Sequence, residues 1–177
     1  MKSFLIISLI TITGIFVSDQ YKPEDQGSSV LFKIRNLGFN VSGSFSGLDG
    51  NIQFDPNNLA TCNFDVSIDA NTVNTDNNMR DNHLRNETYF DVKNYPRIRL
   101  VSTRIQPTGK AGTYQFTGQL TIKKTTLPVS FPFSVSAEGA TLNLKGSFSI
   151  RRKDFDVGGT STISNDLTVS LNVIATK

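Results

Sequence analysis

The sequence predicts an all-β protein: an eight-stranded antiparallel barrel with a short helical crossover around residues 75–91. Three observations carry that expectation. After Asp19 the chain alternates apolar and polar residues with a period of two through most of its length, which is the pattern of strands with one buried face. Phe is abundant, at 13 of 177 residues, with no Trp and a single Cys, and aromatic rings favour pleated, half-buried surfaces. The alternating runs reach about ten residues against an ordinary strand length of roughly 5–6. Long strands joined by short turns favour closure into an up-and-down cylinder.

Composition narrows the function classes. Hydrophobic residues at 37% and charged residues at 19% exclude a disordered chain and a multi-span helical membrane protein. A lone Cys62 excludes an intrachain disulfide. With a single His83 beside it, the usual His- and Cys-rich zinc sites are excluded too. A net charge of +3 with scattered Lys and Arg leaves no nucleic-acid footprint. No cofactor and no metal are expected.

Lys2 precedes an apolar run from Phe4 to Val17, followed by the polar Ser18-Asp19-Gln20. A run this short, against the roughly 20 apolar residues a spanning helix needs, reads as a secretory signal peptide over 1–18. Phe16 stands where a cleavage site wants a small side chain. The barrel domain then occupies 19–177.

The elements follow in order. Val30, Phe32 and Ile34 alternate with Leu31, Lys33 and Arg35, and Phe39, Val41, Gly43 and Phe45 with Asn40, Ser42, Ser44 and Ser46. Together they read as one long bent strand over 30–46. A turn at Leu48-Asp49-Gly50 leads to a short strand holding Ile52 and Phe54. Asp55-Pro56-Asn57-Asn58 is a further turn, because Pro fixes φ and Asn tolerates the left-handed region. Cys62, Phe64, Val66 and Ile68 mark the third strand, Ile98 and Leu100 the fourth. The fifth holds Tyr114, Phe116, Gly118, Leu120 and Ile122. The sixth holds Leu127, Val129, Phe131, Phe133 and Val135. The seventh holds Leu142, Leu144, Gly146, Phe148 and Ile150, and the eighth Leu167, Val169, Leu171 and Val173. Pro128 and Pro132 cannot donate to a ladder, which predicts a bulge or a bordering gap in the sixth strand. Gly43, Gly118 and Gly146 fall on the apolar phase, where glycine lets a barrel bend and leaves volume inside. From Asp69 to Pro96 the alternation lapses into an Asn- and Asp-rich stretch. With Thr75 or Asp76 as N-cap, it reads as helix over 77–91 covering a barrel end.

Motifs for catalysis are scarce. Gly43-Ser44-Phe45-Ser46-Gly47 carries Phe where a nucleophilic serine would sit. His83 with Asp81 or Asp91 could serve as a general base on a lipid headgroup. The competing reading is a helix-surface histidine, and with no nucleophile motif nearby it is the stronger one. Arg80, Arg85, Arg97 and Arg99 crowd the crossover. They read either as surface ion pairs with Asp81, Glu87 and Asp91 or as an anion site at the barrel mouth. Cys62 shares its phase with Phe64 and Val66 and reads as an inert core thiol.

An eight-stranded barrel is either filled by its own side chains or holds one small ligand. Periodicity serves both outcomes, and a solid-core structural barrel stays open as an alternative. The in-phase glycines and long strands favour a cavity. Its wall would be Phe32, Ile34, Phe39, Val41, Phe45, Phe64, Val66, Leu100, Phe116, Gly118, Leu120, Phe131, Phe133, Gly146 and Phe148. With almost no charge on that wall, a guest would be mostly hydrocarbon. Arg80, His83 and Arg85 are the candidates for its polar head.

The order of motifs resembles the YceI-like lipid-binding proteins. Ser29-Val30-Leu31-Phe32-Lys33-Ile34 with Leu37-Gly38-Phe39 is similar to the family's opening strand, as is Gly43-Ser44-Phe45 with Gly50-Asn51-Ile52-Gln53-Phe54-Asp55. Arg80-Asp81-Asn82-His83-Leu84-Arg85, Tyr89-Phe90-Asp91-Val92 and Tyr95-Pro96 form the most specific block. Gly118-Gln119-Leu120-Thr121-Ile122-Lys123 with Pro128-Val129, and Ile150-Arg151-Arg152-Lys153-Asp154-Phe155, complete the likeness. Lys124 and Asp156 stand where the family usually has Gly. The resemblance implies a lipocalin-like barrel exported to the periplasm and enclosing a polyisoprenoid or similar fatty, amphiphilic lipid. It implies no catalytic activity, and a homodimer, since family members are commonly dimers.

Overall fold

The computed structural model describes residues 19–177, so the signal-peptide reading of 1–18 lies outside the described residues. The strands are β1 (Gln20–Asn36), β2 (Phe39–Gln53), β3 (Asn63–Asn74), β4 (Arg97–Pro107), β5 (Thr113–Ile122), β6 (Thr125–Glu138), β7 (Thr141–Arg151) and β8 (Ile163–Thr176). One helix, α1 (Asn78–Arg85), stands between β3 and β4. Each strand pairs antiparallel with the next, and β8 pairs with β1, closing the barrel.

The strand count agrees with the sequence reading, but the division near the N-terminus differs. The segment 30–46 is two strands, joined by a two-residue turn at Leu37 (φ 50°) and Gly38 (φ 83°) with Asn36 opposite Phe39. Positive φ at both turn positions gives the turn twist that matches paired strands. The apolar phase changes there from even positions, ending at Ile34, to odd ones, beginning at Phe39. Leu37, however, is an apolar residue in a place that Asn or Asp usually fills, so the residue types did not mark a turn. Leu48-Asp49-Gly50 is likewise no turn. β2 runs through it with register shifts against β3, and Ile52 lies on the same strand as Phe39. The Asp25 carboxylate accepts from the Gly47 and Leu48 amides at 3.0 and 2.9 Å, serving donors near the shift.

The crossover holds a single helix. Asn77, rather than Thr75 or Asp76, is its N-cap and accepts from the Arg80 amide at 3.0 Å. β6 keeps unbroken register against β5 through Pro128 and Pro132, yet its pairing with β7 begins only at Phe133. The prolines therefore border a gap and make no bulge. The 3₁₀ turn Arg152–Phe155 serves that seam: buried Phe155 packs in one cluster with Leu127 and Val129 of β6 and Phe148 and Ile150 of β7.

Inside, one half of the cylinder is largely filled by aromatic rings. Phe64, Phe116, Phe131 and Phe133 are buried with Phe54, and ring contacts at 4.9 Å (Phe116–Phe131) and 5.6 Å (Phe64–Phe133) tie them together. Such pairs add about 0.5–1.5 kcal/mol beyond the area they bury. The in-phase glycines mostly serve these rings. A Cβ at Gly43 would overlap the Phe32 ring directly opposite, and one at Gly118 would overlap the Val101 carbonyl and the Phe116 ring. These two glycines admit neighbours and leave no void, contrary to the expectation from phase alone.

Two outcomes follow. Gly118→Leu should destabilise the barrel by about 1–3 kcal/mol through overpacking, read from the urea unfolding midpoint; an unchanged midpoint would show the site to be roomy. On the outer face, Arg99 donates to Asp65 at 2.7 and 2.5 Å and holds its carboxyl below the usual carboxylate range. A lowered carboxyl pKa stabilises the fold above the unfolded-state value and loses that contribution as pH falls through the folded value. Wild type should therefore lose slightly more stability than Asp65→Asn as pH drops below about 3.9. The difference should stay under about 1 kcal/mol, because the pair is solvated. Unfolding curves of both chains across that range check the sign.

Candidate functional site

The other half of the cylinder is hollow. A cavity of about 200 Å³ is lined by Phe32, Ile34, Val41, Phe45, Val66, Leu100, Leu120 and Phe148 of the expected wall. Leu48, Ile98, Ile122, Ile150 and the β8 residues Leu167, Val169, Leu171 and Val173 complete its sides. A smaller hollow of about 60 Å³ lies deeper, against Phe64, Phe116, Phe131, Phe133 and Gly146. The two share Leu48, Val66, Leu100, Leu171 and Val173, which form the neck between them. Gly118 lines neither hollow. Phe39 lies on the inward phase but one register step past the barrel rim, at 77% exposure, and is no part of the wall.

The cavity end is roofed by α1 and the turns after it. Leu84 and Phe90 line it, and Phe90 meets Phe45 edge-on at 5.3 Å. Of the three headgroup candidates, only Arg80 reaches the cavity. Its Nε donates to Thr75 Oγ1 and its Nη2 to the Thr75 carbonyl, each at 2.7 Å. Thr75 Oγ1 donates in turn to the buried Asp81 carboxylate at 2.5 Å, and the Thr75 amide donates to the same oxygen at 2.9 Å. Asp81 thus orients Thr75, and Thr75 holds the guanidinium against the cavity. Arg80 Nη1 has no acceptor among the described residues, and Arg80 makes no ion pair there.

Arg85 and His83 are placed elsewhere. Arg85 spends its donors on the Asn71 and Val73 carbonyls and on Asn82, tying α1 to β3. His83 is exposed and lies edge-on against Tyr89 at 5.2 Å. The i to i+4 spacing of a helix explains the split, since Arg80 and Leu84 share one face while His83 and Arg85 flank it. Nor do the expected ion pairs with Asp81, Glu87 and Asp91 form among the described residues. Asp91 accepts from Asn94 Nδ2 at 3.0 Å, Arg97 donates to Ser67 Oγ, and Arg99 pairs with Asp65. Cys62 sits half-buried beside the aromatic half, and burial pushes its thiol up, so little of it is thiolate.

The sequence reading missed Arg152 as a site residue. It lines the cavity end at 4% exposure with no carboxylate partner among the described residues. Instead it donates to the carbonyls of Val157, Gly158, Ile163 and Ser164 at 2.7–2.9 Å and to Ser161 Oγ. Five fixed donors suit a guanidinium to organising a loop from within. A signal was present: the inward phase Leu144, Gly146, Phe148, Ile150 continues to Arg152.

Comparison with known proteins now bears on this geometry. The sequence pattern of the YceI-like domain matches residues 21–175. The chain belongs to the YceI-like family. A UPF0312 protein of Enterobacter sp. (strain 638) is 30% identical over 96% of this chain and 94% of its own length. Protein YceI of Salmonella arizonae is 29% identical over 89% and 86%. Among solved structures, BcnA of Burkholderia cenocepacia superposes with a TM-score of 0.81 at 28% identity, covering 87% of this chain and 99% of its own. A domain from Saccharophagus degradans, described as polyisoprenoid binding, superposes at 0.73 over 88% and 97%. Its identity is 14%, so it bears on the fold alone. These YceI-like barrels share the architecture described above.

Arg152→Met, which keeps length and loses every donor, should cost about 3 kcal/mol or more, since several buried carbonyls lose their partner at about 1–3 kcal/mol each. Arg152→Lys should recover only part of it. Urea denaturation of the three chains decides, and an Arg152→Met midpoint equal to wild type would refute the organising role.

Proposed function

We propose that this YceI-like barrel is a non-enzymatic carrier or store for a polyisoprenoid or similar amphiphilic lipid. The tail would lie in the cavity and the polar head at Arg80. The observation that carries the reading is the cavity itself: an apolar hollow inside a closed barrel, with a guanidinium at one end that keeps a donor unspent. Each buried CH₂ contributes about 0.8 kcal/mol, so a prenyl tail would supply most of the affinity. A charge-assisted hydrogen bond from Arg80 would select the head. Membership of the YceI-like family, whose motifs imply a lipid ligand, supports a lipid guest. His83, away from the cavity, receives no proton-transfer role in this reading. Residues 1–18 as an export address would place the carrier in the periplasm, which fractionation of the producing cells would check.

Native mass spectrometry of detergent-free protein should show adducts of lipid mass. Val169→Trp, which fills the cavity, should abolish them while the barrel's far-ultraviolet circular dichroism persists. Unliganded wild type that also refuses added prenyl alcohols would end the carrier reading. Arg80→Gln should weaken a polyprenyl phosphate by about tenfold, as one charge-assisted bond is lost, and a neutral prenyl alcohol of equal length much less. Equal losses for both would remove Arg80 from the headgroup role.

A further inference from the structure

Among the described residues, the large apolar side chains left most exposed to water gather at one end of the molecule, and it is the end where the cavity lies. Leu37 and Phe39, at 70% and 77% exposure, form the tip of the β1–β2 hairpin, and Met79, at 84%, stands on α1 beside Arg80. Asn36, at the foot of the same tip, and Arg80 both line the cavity. Leu37 is also in an unfavourable backbone state, with φ at 50° in a two-residue turn. Asn or Asp would hold that position at lower cost, and a bulky residue there is uncommon. Leu37 therefore gives up local stability and buries little in exchange, which points to a surface that covers it in use.

The charge around the tip indicates what that surface is. Lys33 and Arg35 are exposed on β1 beneath the tip, and no acidic residue occurs between Asp25 and Asp49. The neighbouring β8 carboxylate, Asp166 beside Leu167, forms an ion pair with neither among the described residues. The neighbouring loop Gly158-Gly159-Thr160-Ser161-Thr162 carries no charge, and Thr162 Oγ1 donates to Asn36 Oδ1 at 3.1 Å, fixing it beside the tip. An apolar tip over a cationic collar matches a bilayer with anionic headgroups: the side chains enter the acyl boundary while Lys and Arg meet phosphate. We propose that the Leu37-Gly38-Phe39 tip, with Met79, docks the barrel onto an anionic phospholipid surface with its cavity end facing the membrane. This rests on the carrier reading only for its purpose, which is passage of the lipid between bilayer and cavity without crossing water.

Every strand of the closed barrel lies within 20–176, so a chain beginning at Asp19 holds the whole cylinder and leaves out the apolar 1–18 run. Its partition onto phosphatidylglycerol/phosphatidylethanolamine vesicles and onto phosphatidylcholine vesicles would be measured by flotation. Wild type should float with the anionic vesicles. Leu37→Asn combined with Phe39→Ser should lower that partition by about tenfold or more, with an unfolding temperature no lower than that of Phe39→Ser alone. Lys33→Gln with Arg35→Gln should remove the preference for anionic vesicles and keep the weaker neutral binding. Prenyl alcohol uptake from solution, measured in parallel, should persist in the tip variant. If vesicle docking holds while wild type takes up no prenyl alcohol, the carrier reading fails and docking stands. Wild type that floats with neither vesicle, or a tip variant that floats as well as wild type, overturns the proposal. So does a wild-type dimer that the tip substitutions convert to monomer without vesicle binding, since a second copy would then be what covers the tip.

Discussion

Closure of the cylinder between its first and last strands is the constraint on which the rest depends. β1 pairs with β8 from Lys22 opposite Thr176 to Asn36 opposite Ile163. Without that seam both strands would present unpaired edges, and water would enter the space that the inward phase now keeps dry. The seam also joins residues far apart in sequence. Glu24 receives the Thr176 hydroxyl across a separation of 152 residues. Pairing of that range must await the intervening hairpins, so this topology belongs with the slower folders.

A closed eight-stranded barrel has too little interior for both a full core and a ligand, and this chain divides it along the axis. Toward the Tyr21 and Phe54 end, aromatic rings from β3, β5 and β6 interlock, and Gly146 opposite Phe133 lets them approach. Toward the α1 end the inward residues are mainly Ile, Leu and Val, with Phe32, Phe45 and Phe148 against the wall, and the centre stays empty. Rigidity in one half allows a hollow in the other, since the apolar lining of a void lacks partner atoms.

The hollow end is held by two arginines used in opposite ways. Arg152 spends its donors on backbone carbonyls, so its charge is dispersed into a loop that would otherwise lack internal support. Arg80 is held by Thr75 on one side only, with Asp81 fixing Thr75. The same side-chain chemistry therefore gives structure at one position and an unspent cationic donor at the other, and burial with partner geometry decides which.

Sequence alone determined the all-β class, the inward phase and the last six strands. The count of eight also agreed, because reading β1 and β2 as one strand offset cutting the end of β2 into another. Period-two alternation is a local property, and it survives whatever the strands pair with. It also placed Phe116, Phe131 and Phe64 inside and put a helix in the crossover. Tertiary structure decided the rest. Only the rim shows that Phe39, though in phase, has no barrel left to face. Only packing shows that Gly118 is filled by Phe116 and the Val101 carbonyl. Only the rotation of α1 separates Arg80 from His83 and Arg85, three residues that a linear motif presents as one group. Phase tells which way a side chain points. What it meets there depends on strands distant in the chain, and no local pattern encodes that.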